Sequence, residues 1–375
     1  MSLLFSPIRL GGLELPNRIV VSPMCQYRAR EGVARPWHVV HIGALALSGA
    51  AAVILESTGV EAIGRITAHC LGLYDAAQEA ALADLVCQVR EVAPACRLGI
   101  QLSHAGRKAS RDRRWNRRPQ VPVAEGGWAT VGPSPLAFAP GWLVPHELDQ
   151  AGLARVRDAF VQAARRADRA GFDILEIHSA HAYLLSQFLS PLSNQRRDAY
   201  GGSAAARLRF PLEVLGAVRA AWPAHKALGV RFNATDLDDR GIGIDDALAY
   251  ARGLAELGVD YLTPSSGSAL PGLANPPQVP GYHLEHAARV KAATGVPTMG
   301  VGMILDGPQA ERVLADGQAD VIALGRAVLD NPRWPWHAAN ALGGPDVYPR
   351  PYATARPEVW PGYAPLHPEY RKPSS

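Results

Sequence analysis

Cysteine is scarce in this sequence. Four residues, Cys25, Cys70, Cys87 and Cys96, stand in a chain of 375, and no two of them form a CxxC pair. That scatter argues against a zinc ribbon or an iron–sulfur cluster, whose thiolates must converge on one centre. So few cysteines in so long a chain also argue against a disulfide scaffold. Long apolar runs are missing too: none approaches the roughly 18 consecutive residues that a membrane helix needs. The N-terminus, MSLLFSPIRLGG, lacks the cationic start and apolar stretch of a secretory signal. Neither sign of charge dominates. The net charge is +4, so the global field calls for no nucleic-acid or membrane partner. A soluble, cytoplasmic protein acting on a small molecule is expected.

What is present is alternation. Short β-branched runs recur at Ile19–Pro23, Ala52–Ser57, Leu98–Leu102, Ile174–His178, Leu228–Phe232, Tyr261–Pro264, Pro297–Val301 and Val321–Gly325. Between them, amphipathic stretches predict helices near 36–48, 77–92, 149–169, 204–220, 245–257, 283–293, 308–316 and 326–341. The junctions AGFDILEIH, LGVDYLTPS, TGVPTMGV and GQADVIALG each place a glycine just past a helix end, followed by a strand. Strict alternation of this kind predicts an α/β protein, a (β/α)8 TIM barrel. A doubly wound open sheet is the alternative, but no GxGxxG follows the first strand.

The barrel is expected to be a single domain over residues 1–342. Two connections are too long for turns: 103–148 after strand three, which holds the basic run RKASRDRRWNRR, and 179–203 after strand four. Long loops at this face usually wall the active site. Residues 343–375 form a Pro/aromatic-rich C-terminal tail, in which Trp360, Tyr363 and Tyr370 are the kind of side chain that anchors on a surface, such as that of a neighbouring subunit.

Functional groups of a TIM barrel stand at the C-terminal ends of its strands. Those positions are Pro23, Met24 and Cys25, then Thr58, Gln101, His178 with His181, Arg231, Val301 with Gly302, and Gly325 with Arg326. The set is polar and sparse, and it lacks carboxylates. The segments GVGMILDG and LGRAVLDNP follow strands seven and eight, where barrels commonly hold a phosphate. Their glycines let backbone N–H groups approach an anion, and Arg326 adds a guanidinium.

Over nearly its whole length the chain resembles the old yellow enzymes, and within them the thermophilic-like subgroup. The motifs lie in order: SPMC at 22–25, GRIT at 64–67, QLSHAGRK at 101–108, AGFDILEIHSAHAYLLSQFLSPLSNQRRDAYGGS at 170–203, and GVGM at 300–303. The resemblance implies an FMN-dependent ene-reductase that takes hydride from NADPH or NADH. The hydride then passes from flavin N5 to the β-carbon of an enone, enal, maleimide or nitroalkene, and the α-carbon is protonated. It implies that Pro23, Met24, Cys25, Thr58, Gln101 and Arg231 surround the flavin ring, that Gly302, Gly325 and Arg326 hold its phosphate, and that Val301 is a further cofactor contact. His178 and His181 would hydrogen-bond the substrate's acceptor oxygen, as an oxyanion hole does. Tyr183 would donate the proton, and Tyr27 would line the substrate pocket. Arg356 in YATARPE matches an arginine that reaches a neighbouring active site in this subgroup, which implies a homodimer or homotetramer.

Each residue also has a plainer reading. His178 and His181 form HxxH, which could serve a metal-dependent barrel hydrolase or lyase. Such enzymes need several convergent ligands, and strand one ends in SPMC rather than HxH. Cys25 could be an ordinary buried thiol, so it is assigned to the cofactor's surroundings and not to nucleophilic catalysis. Tyr183 could simply pack beside Leu184 and Leu185. The basic run could be a solvated loop, or it could attract the phosphates of NADPH.

Overall fold

The structure is a computed structural model that describes residues 2–116, 118, 120–267, 269–270 and 276–367. Eight parallel strands form its centre: β1 (Ile19–Val21), β2 (Ala52–Gly59), β3 (Arg97–Ser103), β4 (Ile174–Ser179), β5 (Ala227–Thr235), β6 (Tyr261–Ser266), β7 (Met299–Gly300) and β8 (Val321–Leu324). Neighbours pair in chain order, and β8 pairs with β1. A parallel bridge between Leu262 and Thr298 joins β6 to β7 and closes the ring. The predicted (β/α)8 barrel is therefore the fold.

Alternation along each strand sorts side chains into two cores. On β4, Leu175 and Ile177 point outward to the helices, while Ile174 packs inside with Val20, Ile54 and Tyr261. A two-stranded antiparallel hairpin, Ile8–Leu10 with Leu13–Leu15, plugs the bottom through Leu10 and Leu15, both fully buried. Gly229 on β5 is required by this interior packing, because a Cβ there would overlap the ring of Tyr261. One departure from regular alternation matters below: the β2–β3 register shifts between Leu55 and Ser57.

The surrounding helices start where the sequence signals them. Asp75, Asp149, Ser203 and Asp306 each accept a hydrogen bond from the backbone N–H three residues on, which caps helices 76–92, 150–169, 204–221 and 307–315. Gly295 ends the helix 284–294 in the left-handed conformation that glycine adopts most readily. The helix predicted over 326–341 is two helices, Arg326–Asp330 and Trp334–Leu342, because Pro332 forces a break between them. Among the described residues no helix is long and apolar enough to cross a membrane.

The tail folds back on the helix Trp334–Leu342. Tyr348 lies against Trp336 with ring centroids 4.3 Å apart, and Asn340 Nδ2 donates to the hydroxyls of Tyr348 and Tyr363 at 2.9 and 2.6 Å. Tyr363 is buried, whereas Trp360 is exposed and Tyr370 lies outside the described residues.

Candidate active site

At the C-terminal mouth of the barrel a cavity of ≈ 380 Å³ is bounded by Pro23, Met24, Cys25, Tyr27, Gln101, His178, His181, Tyr183, Arg231 and Arg326. Beside it lies a second space of ≈ 290 Å³ bounded by Gly302, Gly325 and Arg326 among others. Arg326 belongs to both. With Ser57 on β2 and Gln278 after β6, residues from all eight strands or their following loops converge on one face, as is usual in TIM barrels.

Two of the implied flavin contacts sit elsewhere. Thr58 is fully buried and its Oγ1 donates to the Glu56 carbonyl at 2.8 Å; on this strand Ser57 lines the cavity. Val301 is packed in the barrel interior, and its neighbour Gly302 lines the second space. Arg356 is paired with Asp346 inside its own tail and is not among the residues around the cavity. Ser57, Arg114 and Leu329 line the cavity without any signal in the sequence pattern.

His178 and His181 stand with ring centroids 5.0 Å apart, edge to face. His178 Nδ1 accepts the N–H of Ala180 at 3.1 Å, so its ring proton sits on Nε2. His181 Nε2 lies 3.0 Å from the Ser265 hydroxyl. Both imidazoles are held well below the ordinary histidine pKa, first by burial and then by the charge of Arg231. They are therefore neutral rings at physiological pH.

The turn carrying them is strained and heavily supported. His181 and Ala182 both have positive φ, 58° and 56°. Asn233 Oδ1 accepts from His181 N at 2.9 Å, and Gln187 Nε2 donates to Ala182 O at 2.7 Å. Tyr183 follows at once, its ring 4.9 Å from that of His178. Burial, more than the nearby thiols, raises the Tyr183 phenol well above its ordinary pKa, which keeps its proton in place.

Cys25 is likewise held as a thiol: burial foremost, then Cys70 and the carboxylate of Glu56, pushes its pKa well up. Over this mouth the long loop after β3 folds back, and Trp115 meets Tyr27 edge to face at 5.9 Å. Arg107, though charged, is only 1% exposed. Its guanidinium donates to Leu136 O at 3.1 Å and to Ala269 O at 2.8 Å, joining that loop to the one after β6.

The donor set suits a flavin mononucleotide. Arg231 is half-buried, its Nε is enclosed without a partner, and its one side-chain hydrogen bond among the described residues is weak, 3.5 Å from Nη2 to Ser265 Oγ. A half-buried guanidinium with unused donors at a cavity floor fits an electron-rich ring edge. The open space at Gly302, Gly325 and Arg326 fits a phosphate group. Together the two spaces fall within the usual range for small-ligand pockets. Among the described residues no group of three or more His, Cys, Asp or Glu side chains could hold a metal ion.

Fold and site together define a flavin-dependent barrel oxidoreductase. Residues 3–343 match the NADH:flavin oxidoreductase / NADH oxidase family, and the chain belongs to it. It is 42% identical over 344 residues to an NADPH dehydrogenase of Geobacillus thermodenitrificans, covering 91% of this chain and 95% of that one. An NADPH dehydrogenase of Bacillus licheniformis is 38% identical, covering 92% and 98%. Morphinone reductase superposes with a TM-score of 0.75 at 28% identity, over 92% of this chain and 90% of that one. A second morphinone reductase structure is a complex with tetrahydroNAD, at a TM-score of 0.74 and 29% identity, over 92% of each chain. The protein is an FMN-dependent NAD(P)H oxidoreductase of the old yellow enzyme type.

Proposed function

We propose that this enzyme reduces the activated carbon–carbon double bond of α,β-unsaturated carbonyl compounds and nitroalkenes at the expense of NAD(P)H. The observation that carries this reading is the pair of neutral imidazoles, His178 buried and His181 half-buried, beside a phenol at the cavity wall. FMN, when bound, supplies the hydride chemistry. Pro23, Met24, Cys25, Gln101 and Arg231 would hold its ring, with Ser57 in the place first assigned to Thr58. Gly302, Gly325 and Arg326 would hold its phosphate.

The chain's own groups complete the reaction. His178 offers Nε2–H to the substrate's carbonyl oxygen, and His181 completes the pair, so charge gathering on that oxygen meets preorganised donors. Tyr183 holds a proton that the α-carbon, turned strongly basic as the β-carbon gains hydride, can take. Tyr27 and Trp115 shape the approach. A hydrolase or lyase built on His178 and His181 would need further ligands, and no such cluster is found among the described residues.

Use of a nicotinamide reductant supports a cytoplasmic location. Exposed Trp360 and Val359 in the tail, together with the resemblance at Arg356, support a homo-oligomer in which the tail meets a neighbouring subunit.

An absorption spectrum without oxygen tests the reaction. Flavin bands should bleach with NADPH and return when 2-cyclohexenone is added. A spectrum that bleaches but never recovers with any enone, maleimide or nitroalkene would remove the ene-reductase reading.

A further inference from the structure

Beneath the cavity the barrel interior holds a carboxylate, Glu176 on β4. It is 1% exposed, and the alternation that sends Leu175 and Ile177 outward sends it into the barrel, one layer below His178. In register, Glu176 stands between Gln101 of β3 and Gly229 of β5. Its Oε1 accepts from Gln101 Nε2 at 2.8 Å and its Oε2 from Thr263 Oγ1 at 3.2 Å. Isolated burial of a carboxylate is costly, so such a group must be paired or give up its charge. Burial does push the Glu176 pKa up, and the Arg231 guanidinium pulls it back toward the ionised form.

Glu176 lies a layer below the strand ends, where the chemistry of a barrel usually stands. Gln101 and Arg231 line the cavity, whereas Glu176 is not among the residues that do. The carboxylate therefore reaches a ligand only through them. By accepting from Nε2, it fixes which way the Gln101 amide faces, since an amide must present its oxygen and nitrogen on opposite sides. By sharing the interior with Arg231, it offsets the positive charge that guanidinium offers to the cavity floor.

We infer that Glu176 is a positioning residue that orients the Gln101 amide and, through its charge opposite Arg231, sets the reduction potential of the flavin held above them. This rests on the reading that Gln101 and Arg231 contact the flavin ring. A buried anion below the ring disfavours the added negative charge of the reduced flavin, and the hydrogen bond to Gln101 favours flavin binding.

The test is made on the holoenzyme. Glu176→Gln keeps the shape and removes the charge. Its bound flavin should have a more positive midpoint potential than the wild type, measured by anaerobic titration against a reference dye. An unchanged or more negative potential overturns the inference. Should that variant fail to fold, Glu176→Asp carries the test, because it keeps the charge and withdraws the carboxylate from Gln101. Its FMN dissociation constant, followed by flavin fluorescence, should rise about tenfold, the loss of one hydrogen bond to a charged group. Unchanged affinity overturns the inference. Failure of the wild-type protein itself to bind FMN is a different result, and it would refute the underlying reading of Gln101 and Arg231.

Discussion

Lys108 Nζ donates to the main-chain carbonyl of His181 at 2.7 Å, tying the end of β3 to the strained turn after β4. The same ammonium lies 5.2 Å from the centre of the Tyr183 ring. One side chain thus touches the segment that carries both the proposed oxyanion donor and the proposed proton donor. Lys108→Met should therefore lower kcat while leaving flavin content unchanged; a variant with wild-type kcat would show that the clamp has no part in turnover.

Lys108 also carries a pH signature. Burial first, then repulsion from Arg111 and Arg107, brings its pKa down to about 7. The folded state therefore binds this proton less tightly than the unfolded chain does. The resulting cost to stability is fully present below about pH 7 and fades as pH rises toward the ordinary lysine value. The urea midpoint of Lys108→Met relative to wild type should accordingly improve as pH falls from about 9 to about 6. A difference that stays flat over that range would mean that Lys108 titrates normally.

His178→Ala should retain flavin and lose roughly 100-fold to 1,000-fold in kcat/KM for 2-cyclohexenone, the usual cost of one oxyanion donor. Because the imidazole pKa is depressed, the wild-type rate should show no limb from His178 between about pH 6 and 9. Steady-state rates across that range check both statements. An unaltered kcat/KM in the variant would remove His178 from the reaction.

Tyr183→Phe should slow reoxidation of the flavin by an enone roughly 100-fold, the scale of general acid catalysis. Flavin reduction by NADPH should stay near the wild-type rate, since that step needs no proton at the α-carbon. Stopped-flow absorbance separates the two half-reactions. Equal slowing of both would point to disturbed packing against His178.

Arg356 allows a sharper test of assembly. If the tail completes a neighbour's site, Arg356→Ala and His178→Ala each give a poor enzyme. Mixed oligomers of the two would contain sites with an intact barrel and an intact tail. Co-expression should then recover activity above that of either variant alone. No recovery in verified mixed oligomers would confine Arg356 to the Asp346 pair within its own chain.

Much of this architecture could be read from the sequence because parallel strands are buried on both faces. Each appears as a short apolar run bounded by glycine or proline, and helices 76–92 and 150–169 announce themselves by their aspartate caps. Elements without periodicity were lost. The helix 184–189 is buried on every side, so it shows no polar face to count from. The site followed the same logic. His178, Gln101 and Arg231 stand at strand ends in regular alternation. Ser57 was missed for Thr58 because the register slips between Leu55 and Ser57, which moves the inward face by one residue. Lys108 and Arg107 look like members of a solvated basic run, and only tertiary contacts show how deeply they are engaged.

Arg107 fastens the loop after β3 and the loop after β6 to a single guanidinium. Two segments at the C-terminal mouth of the barrel are thereby hinged on a common pin. Widening the entrance by shifting either segment at its root would strand buried carbonyl groups on the other. Variation in substrate range should then accumulate at the outer reaches of these loops, around Trp115 and Phe138, and spare the pin itself.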